Sequence, residues 1–159
     1  MRIRVGQGVD VHKLAEGHDL WLGGILIPHV KGAVGHSDAD VLIHAICDAL
    51  LGAAGMKDIG FHFPDTSDEF KGIDSKVLLR RVVELISAEG WKVNNVDATL
   101  ILEKPRIKPF VDEMKKVLAG ILQVDESAVS VKATTNESLG YVGREEGLLA
   151  FASALIIGD

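Results

Sequence analysis

The stretch His36-Ser37-Asp38-Ala39-Asp40-Val41-Leu42-Ile43-His44 joins a helix start to two imidazoles and two carboxylates, and the rest of the chain is read outward from it. Ser37 and Asp40 stand in the S-x-x-D relation of a capping box ahead of an apolar run. This predicts a helix that begins at Ser37 and carries Asp38 in its first turn. Free N–H groups and the helix dipole at such an end suit a ligand phosphate, and His36 sits just outside it. Beyond the cap, Val41, Leu42, Ala45, Ile46, Ala49, Leu50 and Ala53 recur at the three-to-four spacing of one apolar face. Asp40, His44 and Asp48 follow one another by single turns on the neighbouring face, which puts an imidazole beside carboxylates at the margin of the core. Such a histidine suits a metal ion, and equally a plain hydrogen bond to a carboxylate. A second source of ligands decides between the two.

Upstream, Ile3 to Leu14 reads as a strand, with Ile3, Val5, Val9 and Val11 apolar and with Gly6 and Gly8 allowing another backbone to approach. Asp10 and His12, two residues apart, point to one face of it. With His44 they form a D-x-H…H set of two imidazoles and one carboxylate, the ligand count of an open zinc site, although many short D-x-H pairs are only surface polar pairs. Leu20 to Ile27 is a hairpin turning at Gly23-Gly24 and ended by Pro28.

Downstream, Gly55 to Thr66 is a long irregular link with two aspartates, suited to a binding loop or to turn capping. A second amphipathic helix runs from Ile73 to Glu89 through Val77, Leu78, Val82, Leu85 and Ile86, with Gly90 as its stop. A strand follows from Trp91 to Leu102. Pro105 and Pro109 then bracket Lys104, Arg106 and Lys108, the clearest cationic cluster, ahead of a third helix from about Pro109 to Leu122. Val129 to Ala133 is a further strand that opens into Thr134-Thr135-Asn136-Glu137-Ser138-Leu139-Gly140. Hydroxyls, a glycine and nearby Lys132 there can hold a phosphate or simply form a turn. The last strand is Leu148 to Ile157. This order predicts an α/β (α+β) sandwich, a mixed sheet of four to five strands with helices on one face, in a single domain over residues 1–159.

Composition narrows the function. Apolar residues at 47% and charged residues at 25% describe a globular chain. With 17 Lys and Arg against 23 Asp and Glu, the net charge of −6 gives no electrostatic reason for a nucleic-acid partner. Cys47 is the only cysteine, so no disulfide and no cysteine zinc site can form within the chain. Residues 1–8 lack the apolar region of a secretory signal, and the apolar run from Leu148 to Ile157 is too short to span a bilayer, so a cytoplasmic protein is expected.

Several blocks together carry a resemblance: Gly8-Val9-Asp10-Val11-His12, the 36–44 stretch, Asp58-Ile59-Gly60, Phe63-Pro64-Asp65-Thr66, Lys132-Ala133-Thr134-Thr135 and Leu139 through Gly147. In order and over essentially the whole chain, they closely resemble the 2-C-methyl-D-erythritol 2,4-cyclodiphosphate synthase family. The resemblance implies an enzyme of the non-mevalonate isoprenoid pathway, a phosphorus-oxygen lyase. It would turn the 2-phosphate of 4-diphosphocytidyl-2-C-methyl-D-erythritol into a cyclic diphosphate and release CMP. It also implies a homotrimer with active sites between subunits, and it admits an isoprenoid diphosphate on the trimer axis.

Carried over by position, Asp10, His12 and His44 resemble the family's zinc ligands, and Glu137 its magnesium or manganese ligand. His36 and Thr135 match residues that align phosphates and stabilise the transition state. Asp58, Ile59, Gly60, Phe63, Pro64, Asp65 and Thr66 match the methylerythritol side, and Asp10, His12, His36 and Ser37 are also expected to bind substrate. The stretch from Leu102 to Lys108 (Leu102, Lys104, Pro105, Arg106, Ile107 and Lys108 named as binding residues), with Ala133 and Thr134, matches the cytidine and diphosphate side, and Thr135, Asn136, Glu137, Tyr141 and Arg144 are also expected to bind substrate. Asn136, Tyr141 and Arg106 stand where threonine, phenylalanine and lysine are commoner, and Glu103 is at a variable position. These departures touch nucleotide contacts and the axis lining and leave the ligand set intact.

The attacking phosphate oxygen is already ionised and the leaving group is a phosphate, so the chemistry asks for positioning and charge rather than a strong acid or base. Two rivals remain at this point, a zinc phosphohydrolase and a noncatalytic diphosphate-binding trimer. The trimer also has an internal motive, since Leu148 to Ile157 is nearly all apolar and a strand apolar on both faces needs cover on both.

Overall fold

Strand alternation and two glycines set the architecture in a computed structural model that describes residues 1–159. In β1, Arg2–Glu16, the even-numbered Gly6, Gly8 and Leu14 are buried, with Asp10 and His12 half-buried in the same row. Helix α1, Val41–Ala54, lies on that row. A Cβ on Gly6 would fall 2.0 Å from the Ala49 carbonyl oxygen, and one on Gly8 would fall 1.9 Å from that of Ala45. The helix therefore rests on bare strand backbone, closer than any side chain would permit.

Around this pair the sheet runs β4-β1-β7-β5-β6. β7, Gly147–Gly158, pairs antiparallel with β1 on one side and with β5, Trp91–Ile101, on the other. β6, Val129–Thr134, joins β5 in parallel, and β4, Lys31–Val34, closes the opposite edge. β2, Leu20–Leu22, and β3, Ile25–Ile27, form a separate hairpin. Gly23 and Gly24, at φ 60° and 82°, supply the positive dihedrals that a two-residue turn of this hand needs.

Helices α1, α3 (Ser75–Ala88) and α4 (Val111–Leu122) pack side by side on one face over a cluster of 39 buried residues. Leu148, Ala150, Ala152, Ala154 and Ile156 of β7 lie beneath them. The opposite face is open and apolar along β1 and β7. Val5 is 70% exposed, Val11 54% and Phe151 38%. The mixed sheet with one helical face is the expected one, with five strands. No helix is long and apolar enough to cross a membrane.

Four local readings need correction. The helix starts at Val41 rather than Ser37, because Ala39 has a φ of +58° and Asp40 is the cap. Asp40 is fully buried, and its carboxylate accepts from the N–H groups of Ile43, Gly23 and Gly24 at 3.1, 3.0 and 2.7 Å. The hairpin turn thus docks onto the helix end and closes the place expected to receive a phosphate. Burial pushes the Asp40 carboxyl up, against these three donors. The link after α1 contains a short helix, α2, Ile59–His62, capped by Asp58 and tied to α1 because Asp48 accepts from the Ile59 N–H at 2.7 Å. The second helix starts at Ser75 under an Asp74 cap, and it also buries Leu79 and Val83. β4 and the four-residue α5, Gly140–Gly143, had no periodic signal.

Candidate active site

The row of β1 that carries Gly6 and Gly8 continues into Asp10 and His12, and the helix seated on those glycines brings His44 to the same point. Asp10 Oδ2 lies 2.9 Å from His12 Nε2 and 3.0 Å from His44 Nδ1. The two nitrogens are 3.2 Å apart. In a tetrahedral zinc site with bonds of about 2.0–2.1 Å, donors sit about 3.3 Å from one another. The set therefore fits such an ion with small outward shifts, and it is the one group of three donors in the chain with this convergence.

Each outer nitrogen is also engaged. His12 Nδ1 is 3.1 Å from the Val34 carbonyl oxygen, and His44 Nε2 is 2.9 Å from Ser75 Oγ and 3.1 Å from Ser37 Oγ. Burial works to raise the Asp10 pKa, but the hydrogen bonds and charges of His12 and His44 outweigh it and hold the carboxyl down at about 2. Burial likewise opposes charge on His12, yet its bond to Asp10 raises its pKa above 6.5.

A cavity of about 280 Å³ opens beside the cluster. Of the residues expected to bind substrate, His12, His36 and Ser37 line it with Ile59, Gly60, Phe63 and Asp65 of the methylerythritol side, together with His44. Asp10 lies behind in the donor cluster, Asp58 serves as the α2 cap, and Pro64 and Thr66 flank the wall without lining it. His36 is no part of the donor set. Its Nε2 is 3.1 Å from the Ser67 carbonyl oxygen, and its own carbonyl accepts from the Gly72 N–H at 2.7 Å. Phe70, Ile73 and Leu78 complete the wall and were not foreseen.

A second cavity, about 640 Å³, lies where the parallel strands β5 and β6 end. Leu102, Glu103, Pro105, Arg106, Ile107, Lys108, Ala133 and Thr134 line it, as expected for the nucleotide side, joined by Thr135 and by Lys132. Lys104 is turned away to Glu145, 3.2 Å off, and Lys132 is paired with Asp97. Asn136 and Glu137 belong to the exposed loop beyond the cavity wall, where Glu137 has a φ of 51° and stands alone as a donor. Glu103 organises that loop, since its carboxylate accepts from the N–H groups of Asn136 and Ser138 at 2.8 and 3.3 Å. Tyr141 is exposed, and Arg144 makes a two-pronged pair with Glu146 at 3.0 Å. The two cavities have no lining residue in common.

The model of the YgbB family matches residues 3–157. A 2-C-methyl-D-erythritol 2,4-cyclodiphosphate synthase of Phocaeicola vulgatus is 62% identical over 156 residues, 98% of each chain. The solved IspF of Plasmodium falciparum in complex with CDP superposes with a TM-score of 0.86 at 36% identity, over 99% of this chain and 97% of that one. The bifunctional IspDF of Campylobacter jejuni superposes at 0.95 with 39% identity. There this chain is covered to 99% but spans only 43% of the longer protein.

Proposed function

The chain belongs to the YgbB family, and on that premise we propose that it acts as a 2-C-methyl-D-erythritol 2,4-cyclodiphosphate synthase of the non-mevalonate pathway. In this reaction the 2-phosphate oxygen of 4-diphosphocytidyl-2-C-methyl-D-erythritol 2-phosphate attacks the β-phosphorus. The bond from that phosphorus to the bridging oxygen breaks, and CMP leaves with the oxygen and its electron pair. The class is a phosphorus-oxygen lyase. The observation that carries the reading is the convergent Asp10, His12 and His44 set on the rim of a cavity walled by His36, Ser37 and the α2 segment.

Asp10, His12 and His44 would hold zinc and Glu137 would hold magnesium or manganese, supplying Lewis-acid polarisation and charge neutralisation at the diphosphate. The chain's own residues do the positioning. His36, held through Nε2 by the loop at Ser67, aligns the reacting phosphates at the metal-side cavity. Thr135, at the mouth of the nucleotide cavity, fixes the diphosphate from the other end. Arg106 and Lys108 supply the local positive charge that a chain of net charge −6 lacks overall. Ordering the two phosphate groups in line contributes up to about 7–11 kcal/mol of the barrier reduction.

The assembly is a homotrimer in which the nucleotide cavity of one subunit completes the metal-side cavity of the next. Two features support this. The half-sites share no lining residue, and the open face of β1 and β7 presents Ile3, Val5, Val9, Val11 and Phe151 without cover. A contiguous apolar face of this kind favours burial against another chain. An isoprenoid diphosphate would then fit the axis between these faces, with the Arg144 guanidinium as the cation that meets its diphosphate.

Phosphorus NMR of the purified protein with the cytidylated substrate tests the activity. A cyclic diphosphate plus CMP is expected. Release of inorganic phosphate would establish the phosphohydrolase instead, and binding without turnover the noncatalytic module.

A further inference from the structure

Ser75 is the first residue of α3, it is fully buried, and it sits 31 positions from the histidine it touches. Its surroundings fix the direction of its hydrogen bonds. The Asp38 carboxylate meets three donors: the Ser75 N–H at 2.9 Å, the Asp40 N–H at 3.1 Å, and the Ser75 hydroxyl. A carboxylate can only accept, so the single hydroxyl proton of Ser75 is spent on Asp38. What Ser75 Oγ then offers His44 Nε2, 2.9 Å away, is a lone pair.

From this we infer that the Asp38–Ser75 pair is a positioning device for His44. It keeps the proton on Nε2 and presents the Nδ1 lone pair to the point shared with Asp10 and His12. The inference rests on the metal-site reading above and names the residues that make the third ligand competent. Ser37 Oγ, 3.1 Å from the same nitrogen, cannot do this alone. It accepts from the Ala39 N–H, but its own proton has no fixed acceptor, so it can serve either tautomer. The arrangement matches what the Val34 carbonyl does for His12. A carbonyl oxygen also only accepts, which keeps the proton on Nδ1 and leaves Nε2 for the metal. One ligand is thus oriented by backbone, the other by a side-chain pair that mutation can reach.

The test uses zinc itself as the probe, on the full-length protein. Zinc affinity is measured by chelator competition for wild type, Ser75→Ala and Asp38→Asn, with thermal melts of the metal-free proteins as the folding control. Losses of about 10- to 100-fold in affinity are expected for both variants, the range found when the partner of a metal-bound histidine is removed. Asp38→Asn acts by setting an amide N–H against one of three converging donors. Turnover in the variants should recover at saturating zinc. If both variants bind zinc as wild type does, the pair is merely structural and the inference fails, while the metal site stands. Long-range proton-nitrogen NMR of zinc-loaded wild type needs no variant. A protonated Nε2 with metal on Nδ1 of His44 is expected, and the reverse arrangement overturns the inference. A wild-type protein that takes up no zinc overturns the metal reading along with it.

Discussion

The two cavities are built by opposite means. Around Asp10, His12 and His44 the key polar atoms are committed to partners from β1, β4, α1 and α3, and the groups are half-buried or fully buried. At the proposed nucleotide side the cations are exposed or paired at the surface, and the loop at Glu137 is held by two N–H contacts to Glu103. A site of the first kind places atoms to fractions of an ångström and fails when one is removed. A site of the second kind binds by summed contacts and loses affinity by increments.

The largest predicted effect tests the first half of that contrast. His44→Ala or His12→Ala should remove zinc and lower kcat by about 10³-fold or more, since one of three ligands is lost and several kcal/mol of charge stabilisation go with it. Metal analysis beside steady-state kinetics checks this, and full zinc content in active His44→Ala protein would refute the ligand assignment. Next, His36→Ala should lower kcat by about 10²-fold with zinc retained, the size of effect expected from misaligned reactants. Zinc lost together with activity would make His36 a ligand and erase its separation from the cluster. On the other side, Arg106→Ala should raise KM about tenfold and leave kcat nearly unchanged, as uniform binding does. A collapse of kcat there would show that both cavities are equally exacting.

The smallest effect is a pH dependence in metal-free protein. His12 is raised above 6.5, so its contribution to stability is full below 6.5 and is lost as pH rises through its folded value. Asp10 is lowered from 3.8 to about 2, so its contribution is full above 3.8 and is lost as pH falls toward 2. Thermal melts of metal-free protein should therefore peak between these limits. With zinc bound the His12 flank reverses, and stability rises as pH rises through the His12 range, because protons compete with the metal for His12. A pH-independent Tm in metal-free protein would mean that the cluster is not interlocked. Subunit sharing has its own check: inactive His44→Ala and nucleotide-loop chains, mixed under exchange, should recover part of the activity. No recovery in demonstrated mixed trimers would place each whole site within one chain.

How far the sequence disclosed these features depends on whether they leave a periodic trace. The two-residue step from Asp10 to His12, the glycines before them and the helical position of His44 are readable because strand and helix periods are geometric facts. The hairpin was readable because Gly-Gly has one common use in such a context. The Asp40 cap, the Asp38–Ser75 pair and the hold of Glu103 on the loop were not. Each joins residues 16 to 37 positions apart through hydrogen bonds that follow no period. The capping-box reading failed for the same reason. Asp40 had better partners in the distant hairpin than Ser37 could offer nearby, and a local rule gave way to a tertiary contact.

β1 has every position spoken for by parity: glycines, carboxylate and imidazole on one side, Val5, Val9 and Val11 on the other. Its tolerance to change is therefore arithmetic as well as chemical. An in-frame insertion of one residue between Gly8 and Asp10 would turn Asp10 and His12 outward and Val11 toward α1, without removing any side chain. A two-residue insertion would keep the faces and only slide Asp10 and His12 along the strand. Length variation among relatives should accordingly fall outside this segment, and a deletion scan should find odd-numbered lesions here more damaging than even ones.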